Sequence, residues 1–222
     1  NYELALEGYE KAIEQDVKTE LACRGAGVAS MNLGNYEEAV SYFSQAFLAG
    51  KLKDTTKRDI LQYLATAYYY MEDYPSAMGT CQTLMTYTMN AESYYITAVT
   101  ALAMNSYDEA ERNFRNTYSQ DPTYETAFRI YQAYMKKGMQ ADAAGYLEMA
   151  LEIPPSTGDD YCNRGTIYFY LDQYEEALAE LGTAVEKKSA KALLVMGEVY
   201  RKQKDYTNAR EKYQAYVSGE GP

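Results

Sequence analysis

Three cysteines, Cys23, Cys81 and Cys162, carry the most nucleophilic side chains of this chain, and they lie far apart with no C-x-x-C among them. A disulfide framework needs paired cysteines and is usual in small secreted domains. The spacing here reads instead as three small, semi-buried thiols, which leaves the redox compartment open. Histidine is absent altogether, which removes the commonest general base and the commonest metal ligand together. Gly25-Ala26-Gly27-Val28-Ala29-Ser30 begins like a dinucleotide fingerprint, but the third glycine and the preceding strand are missing. Asp159-Asp160 forms a carboxylate pair, yet its place after Pro154-Pro155 suits the opening of a helix better than acid–base work. There is no phosphate loop, serine elbow, zinc spacing or calcium loop. The expectation is a noncatalytic protein without cofactor or metal.

Bulk properties narrow the partners. The chain has 222 residues, of which 47% are apolar and 24% charged, enough to bury a core. Its formal net charge of −11 argues against nucleic acid, where phosphate contacts supply most affinity, and against an anionic membrane surface. No run of 18 apolar residues exists, so no segment is expected to insert in a bilayer. Tyrosine stands out: 26 of them, beside 5 Phe and no Trp.

The elements that must position these tyrosines come from an internal repeat. An aromatic-x-x-Ala motif starts at Tyr2, Tyr36, Tyr74, Tyr107, Tyr174 and Tyr206, with Gln140 at the corresponding place in one copy. Four residues after each alanine stands an apolar group, among them Phe43, Cys81, Phe114, Leu147 and Leu181. Spacings of three and four put these on one side of a helix. Nine residues before the motif stand Gly27, Ala65, Ala98, Tyr131, Gly165 and Gly197, mostly small, as close helix contact requires. Gly34-Asn35, Glu72-Asp73, Asn105-Ser106, Gly138, Asp172 and Asp205 lie between, and Asn35, Asp73, Ser106 and Asp205 suit the cap of a second helix. Pro75 fits a first helical turn, and Pro122 and Pro154-Pro155 fit helix ends.

This pattern resembles the tetratricopeptide repeat (TPR), a 34-residue helix–turn–helix unit. The family's first-helix tryptophan is replaced, for example by Cys23, Tyr94 and Leu193, and Arg164 stands at a normally apolar position. The resemblance implies an all-α, right-handed superhelical solenoid of about six full repeats after an N-terminal half repeat. The expected boundaries are a half repeat 1–17, repeats 20–50, 58–89, 91–121, 124–153, 158–188 and 190–218, and a tail 219–222, all in one domain spanning 1–222. The segment from Gly50 to Lys57 reads as a longer loop.

Ten of the 26 tyrosines, including Tyr2, Tyr36, Tyr107 and Tyr206, fill positions that the repeat asks for in its core. In the family, first helices line the concave wall. Carried over, the N-terminal part of that wall would hold Arg24, Asn32, Gln62, Tyr63, Thr66, Tyr70, Tyr95 and Val99. The C-terminal part would hold Phe128, Arg129, Gln132, Asn163, Thr166, Phe169, Tyr170 and Arg201. Tyr63, Tyr70, Tyr95, Phe128, Phe169 and Tyr170 exceed what the repeat needs, and stiff rings between polar groups suit a binding surface. The family's clamp for a terminal carboxylate is not matched, since Val28 follows Arg24 where asparagine is needed.

The implied function is a protein–protein interaction scaffold that holds an extended peptide or partner helix in its groove. Two alternatives stay open: end-to-end self-association through open solenoid ends, and an accessory component that binds a glycan or small molecule. The chain is also similar to repeat domains of bacterial TPR lipoproteins. Bacterial cytoplasm and a lipid-anchored surface position are both compatible with it, and a half repeat at Asn1 suggests further residues upstream.

Overall fold

A computed structural model describes residues 1–49 and 52–219. Among the described residues there are thirteen helices and no strand, and no helix is long and apolar enough to cross a membrane. Contacts gather the chain into two units, Asn1–Asp121 and Pro122–Pro222.

The first unit contains α1 (Tyr2–Glu14), α2 (Thr19–Leu33), α3 (Tyr36–Leu48), α4 (Asp54–Tyr70), α5 (Tyr74–Tyr87), α6 (Ala91–Ala103) and α7 (Tyr107–Gln120). Each helix packs on the next in sequence, and α4 also touches α2 and α6, so the first helices of successive hairpins form a row. The second unit contains α8 (Tyr124–Lys136), α9 (Gln140–Leu151), α10 (Gly158–Tyr170), α11 (Tyr174–Glu186), α12 (Lys191–Lys202) and α13 (Tyr206–Ser218). Here again neighbours in sequence pack together, and α10 touches α12.

The six hairpins share one turn. Its next-to-last residue adopts the left-handed conformation: Gly34, Glu72, Asn105, Gly138, Asp172 and Lys204 have φ between 59° and 80°. The next amide then reaches back to a carbonyl five residues earlier, as from Asn35 to Ser30 and from Gln173 to Tyr168, each at 2.9 Å. This closes the first helix and reverses the chain. Glycine meets the turn's demand freely at 34 and 138; the other four positions hold side chains in a region that L-residues rarely enter.

Burial follows the sequence pattern. Ala39, Ala77, Ala110, Ala143 and Ala177 are fully buried, and so are Phe43, Cys81, Phe114, Leu147 and Leu181 one turn later. Each large apolar side chain removed from water in this way stabilises by about 1.5–3 kcal/mol. The small positions opposite are required sterically. A Cβ on Gly27 would stand 2.6 Å from the Phe43 ring, one on Gly165 2.6 Å from Leu181 Cγ, and one on Gly197 2.4 Å from the Tyr213 ring.

Several expectations need correction. Helix α4 starts at Asp54 instead of after Lys57, because Lys53 is extended and its carbonyl already accepts from Thr56 and Lys57. Gly50 and Lys51 of that expected loop, and 220–222 of the expected tail, lie outside the described residues. Asp73 and Asp205 cap their helices through Ser76 N and Asn208 N. Asn35 and Ser106 do not cap. The Asn35 amide turns to donate to the Glu38 carboxylate at 3.3 Å, and the Ser106 hydroxyl makes no capping bond. Finally, Tyr2, Tyr107 and Tyr206 are exposed, not core. A ring at the first position of a second helix lies over the turn. A ring from the end of a first helix covers it in part where one reaches it, as Tyr70 does Tyr36 and Tyr69 does Tyr74.

Candidate functional site

The residues expected along the first-helix wall separate into three groups. Some are spent within their own element. Asn32 Nδ2 donates to Val28 O, Thr66 Oγ1 to Gln62 O and Thr166 Oγ1 to Cys162 O, each at 2.8 Å. Arg201 is paired with Glu198 on the same helix. A second group belongs to packing. Val99 is buried; Tyr63 stacks on Phe43 with centroids 5.5 Å apart; Tyr95 tilts against Phe114 at 6.1 Å. Arg24 of α2 forms an ion pair with Asp59 of α4, tying two first helices together. The third group keeps accessible surface. Gln62, Phe128, Arg129, Asn163 and Phe169 are half-buried, Gln132 is exposed, and Tyr70 and Tyr170 retain 56% and 41% of their surface.

In the first unit the accessible part is a ring stack. Tyr36 lies on Tyr70 at 5.2 Å, Tyr69 meets Tyr70 edge-on at 5.7 Å, and Tyr74 leans on Tyr69 at 5.8 Å.

In the second unit the rings surround a cleft of about 510 Å³. Tyr131 and Met135 come from α8, Gln140 and Ala144 from α9, and Phe169 and Tyr170 from α10; Asp172 and Lys202 stand at its rim. Tyr170 is the centre of the cluster. It stacks on Tyr131 at 5.1 Å and 10°, takes the Phe128 ring edge-on at 6.0 Å, and lies 5.7 Å from Phe169. Burial raises the Tyr131 phenol above its ordinary value, with Tyr170 and Asp172 adding to the shift. Tyr131 therefore stays neutral at physiological pH and can act as a hydrogen-bond donor. Asp172 Oδ1 accepts from the Tyr174 hydroxyl at 2.6 Å, which fixes the carboxylate beside the cleft.

Sequence reasoning picked out Phe128, Phe169 and Tyr170 for the wall and left Tyr131, Gln140, Asp172 and Lys202 aside. The signal for two of them was a pair of exceptions in one repeat. Tyr131 interrupts a row of glycines and alanines, and Gln140 interrupts a row of tyrosines.

Arg164, at a position the repeat normally fills with an apolar side chain, acts as a pin. Its guanidinium bonds Glu180 Oε1 at 3.2 Å and the Leu151 carbonyl at 2.5 Å. It thereby closes the end of α9 onto α10 and α11, where an apolar side chain would leave that carbonyl without this donor.

The three thiols are buried, and burial raises the pKa of each, that of Cys81 to about 11. Among the described residues no three His, Cys, Asp or Glu side chains come together as a metal site.

Family models for the tetratricopeptide repeat match residues 162–222 and 25–49. A model described as anaphase-promoting complex, cyclosome, subunit 3 matches 41–117. Together with the helix hairpins and their buried small residues, these matches decide the matter. The chain belongs to the tetratricopeptide repeat family. Its fold class is an all-α TPR solenoid.

No curated protein is a significant match to the sequence. Among solved structures the chain is similar to a tetratricopeptide repeat protein from Parabacteroides merdae, with a TM-score of 0.59 and 16% identity over 96% of this chain and 85% of that one. It is similar to the C-terminal part of a TPR repeat-containing protein from Cytophaga hutchinsonii, with a TM-score of 0.55 and 17% identity over 86% of this chain and 77% of that one. YrrB, a TPR protein with an unusual peptide-binding site, is similar at a TM-score of 0.51 and 18% identity over 83% of this chain and 94% of that one. TPR chains of this fold serve in general as scaffolds for protein–protein interaction.

Proposed function

We propose that this TPR chain is a noncatalytic scaffold that holds an extended peptide or a partner helix against the first helices of its repeats. The observation that carries the reading is the exposure of Tyr70 and Tyr170 within clusters of rings that other rings already hold in place. Such rings lose little conformational freedom on binding, so their contact area converts into affinity efficiently. Half-buried Gln62 and Asn163 and exposed Gln132 lie on the same helices and offer amides to a peptide backbone. The net charge of −11 favours peptides with basic residues at encounter. YrrB, which shares the fold, is consistent with this use of it.

The test is selection from a displayed peptide library, followed by titration against Tyr70→Ala and Tyr170→Ala. Both side chains keep much of their surface exposed, and circular dichroism of each variant checks that it folds. A loss of about tenfold or more in affinity in at least one variant is expected, since anchoring aromatics dominate such interfaces. Selected peptides that bind both variants as tightly as the original chain would remove the reading.

A further inference from the structure

The two units meet the same packing demand in different ways. In the first, Tyr36 opens α3 and stacks on Tyr70, the last residue of α4. Nine residues before Tyr36 stands Gly27, pressed against Phe43. In the second unit the corresponding three positions hold Tyr131, Gln140 and Tyr170. Gln140 brings no ring to the start of α9. Tyr131 supplies one from the place of the small residue, and its stack on Tyr170 is as close as that of Tyr36 on Tyr70. The ring has moved from the second helix to the first. One turn into α9, Ala144 stands where α3 has the larger Val40. The space left by these two reductions coincides with the cleft, which Gln140 and Ala144 both line.

We propose that this cleft seats one aromatic side chain, Phe or Tyr, of a bound peptide, in the space that Gln140 and Ala144 leave open beside the Tyr131–Tyr170 stack. The proposal rests on the scaffold reading above and names where the peptide is anchored. The seat offers aromatic surface from Tyr131, Phe169 and Tyr170, so an incoming ring meets offset or edge-on partners. Gln140 and Asp172 supply polar groups at its border to orient the neighbouring peptide bond or a phenol. The cleft volume falls within the range of about 300–1,000 Å³ over which proteins enclose small organic groups.

Met135 lines the cleft and provides a probe. Protein carrying ¹³C-methyl methionine is titrated with N-acetyl-tyrosinamide, N-acetyl-phenylalaninamide and N-acetyl-leucinamide, the Met135 signal being identified by its loss in Met135→Leu. The aromatic amides should shift the Met135 methyl in a saturable way, at concentrations about tenfold below those leucinamide needs. Gln140→Tyr, which restores the residue type of the other repeats, and Ala144→Leu, which fills the cleft from the next turn, should each abolish that shift in a folded protein. An equal response to leucinamide, no response to either aromatic amide, or a response that survives both substitutions would overturn the seat. Peptide selection separates the two readings. Selected peptides that bind Gln140→Tyr and Ala144→Leu as tightly as the original chain remove the seat and leave the scaffold groove; failure to select any peptide removes the groove itself.

Discussion

At the scale of single residues, the contrast among glycines inside helices is sharpest. Gly165 lies against Leu181 and the Ala177 carbonyl, so an added methyl group has backbone in its way. Gly182, in the middle of α11, has nothing within 4 Å of where its Cβ would stand. The same substitution should therefore have opposite signs. Gly165→Ala is expected to destabilise by about 1–3 kcal/mol through overpacking. Gly182→Ala is expected to stabilise by about 0.5–1 kcal/mol, because glycine is the poorer helix former. Urea midpoints measured on the two variants check both; equal shifts would mean that the hairpins do not approach as closely as described. Tyr131 illustrates the limit of reasoning at this scale. Its type and position broke the pattern, but only the position of Tyr170 shows what the exception does.

At the scale of elements, the start of α10 is the best-built cap. Thr157 and Asp160 form a reciprocal box: Asp160 N donates to Thr157 Oγ1 at 3.1 Å, and Thr157 N donates to Asp160 Oδ2 at 2.8 Å. Ser156 adds two more donors to the same oxygen. Amides of Thr157 and Ser156 lower the Asp160 carboxyl to about 2, below its ordinary value of 3.8. A depressed folded-state value means that the stabilisation is complete above the unfolded value near 4 and drains away as pH falls toward 2. Asp160→Asn should cost about 1 kcal/mol at neutral pH, as lost caps do. The gap between it and the original chain should then shrink steadily from pH 5 to pH 2. Urea unfolding at pH 7, 4 and 2.5 reads this directly, and a constant gap would show that the carboxylate does not act as a charged cap. Of the carboxylate pair Asp159-Asp160, the second thus caps the helix in whose first turn both stand. Asp159 accepts from Ser189 at 2.7 Å, a contact its neighbour does not share.

At the scale of the whole molecule, each unit has its own buried thiols: Cys23 and Cys81 lie in the first and Cys162 in the second. Desolvation keeps them protonated and packing keeps reagents out, so labelling waits for local or global opening. With Ellman's reagent at pH 8, all three should react at least about a hundredfold more slowly in the native chain than in 6 M guanidinium, as protection by structural opening implies. Mass spectrometry of partly labelled chains would then report the opening of each unit separately. A thiol that reacts at the unfolded rate would contradict the burial described here.

The periodic small residues, the apolar groups one turn later and the turn residues between them were enough to define helix hairpins. Steric demands of that kind act between residues close in sequence and leave a repeating mark, so Ala39, Ala110 and Ala177 could be placed in the core without coordinates. The wall-facing residues were legible only as a set. Whether Tyr63 packs on Phe43 or faces a ligand depends on which neighbouring ring reaches it, and that is settled by how α4 packs on α3 across the repeat boundary. The cleft was hidden for the same reason: an absent ring at Gln140 and an added one at Tyr131 acquire meaning only when α10 brings Tyr170 to meet them.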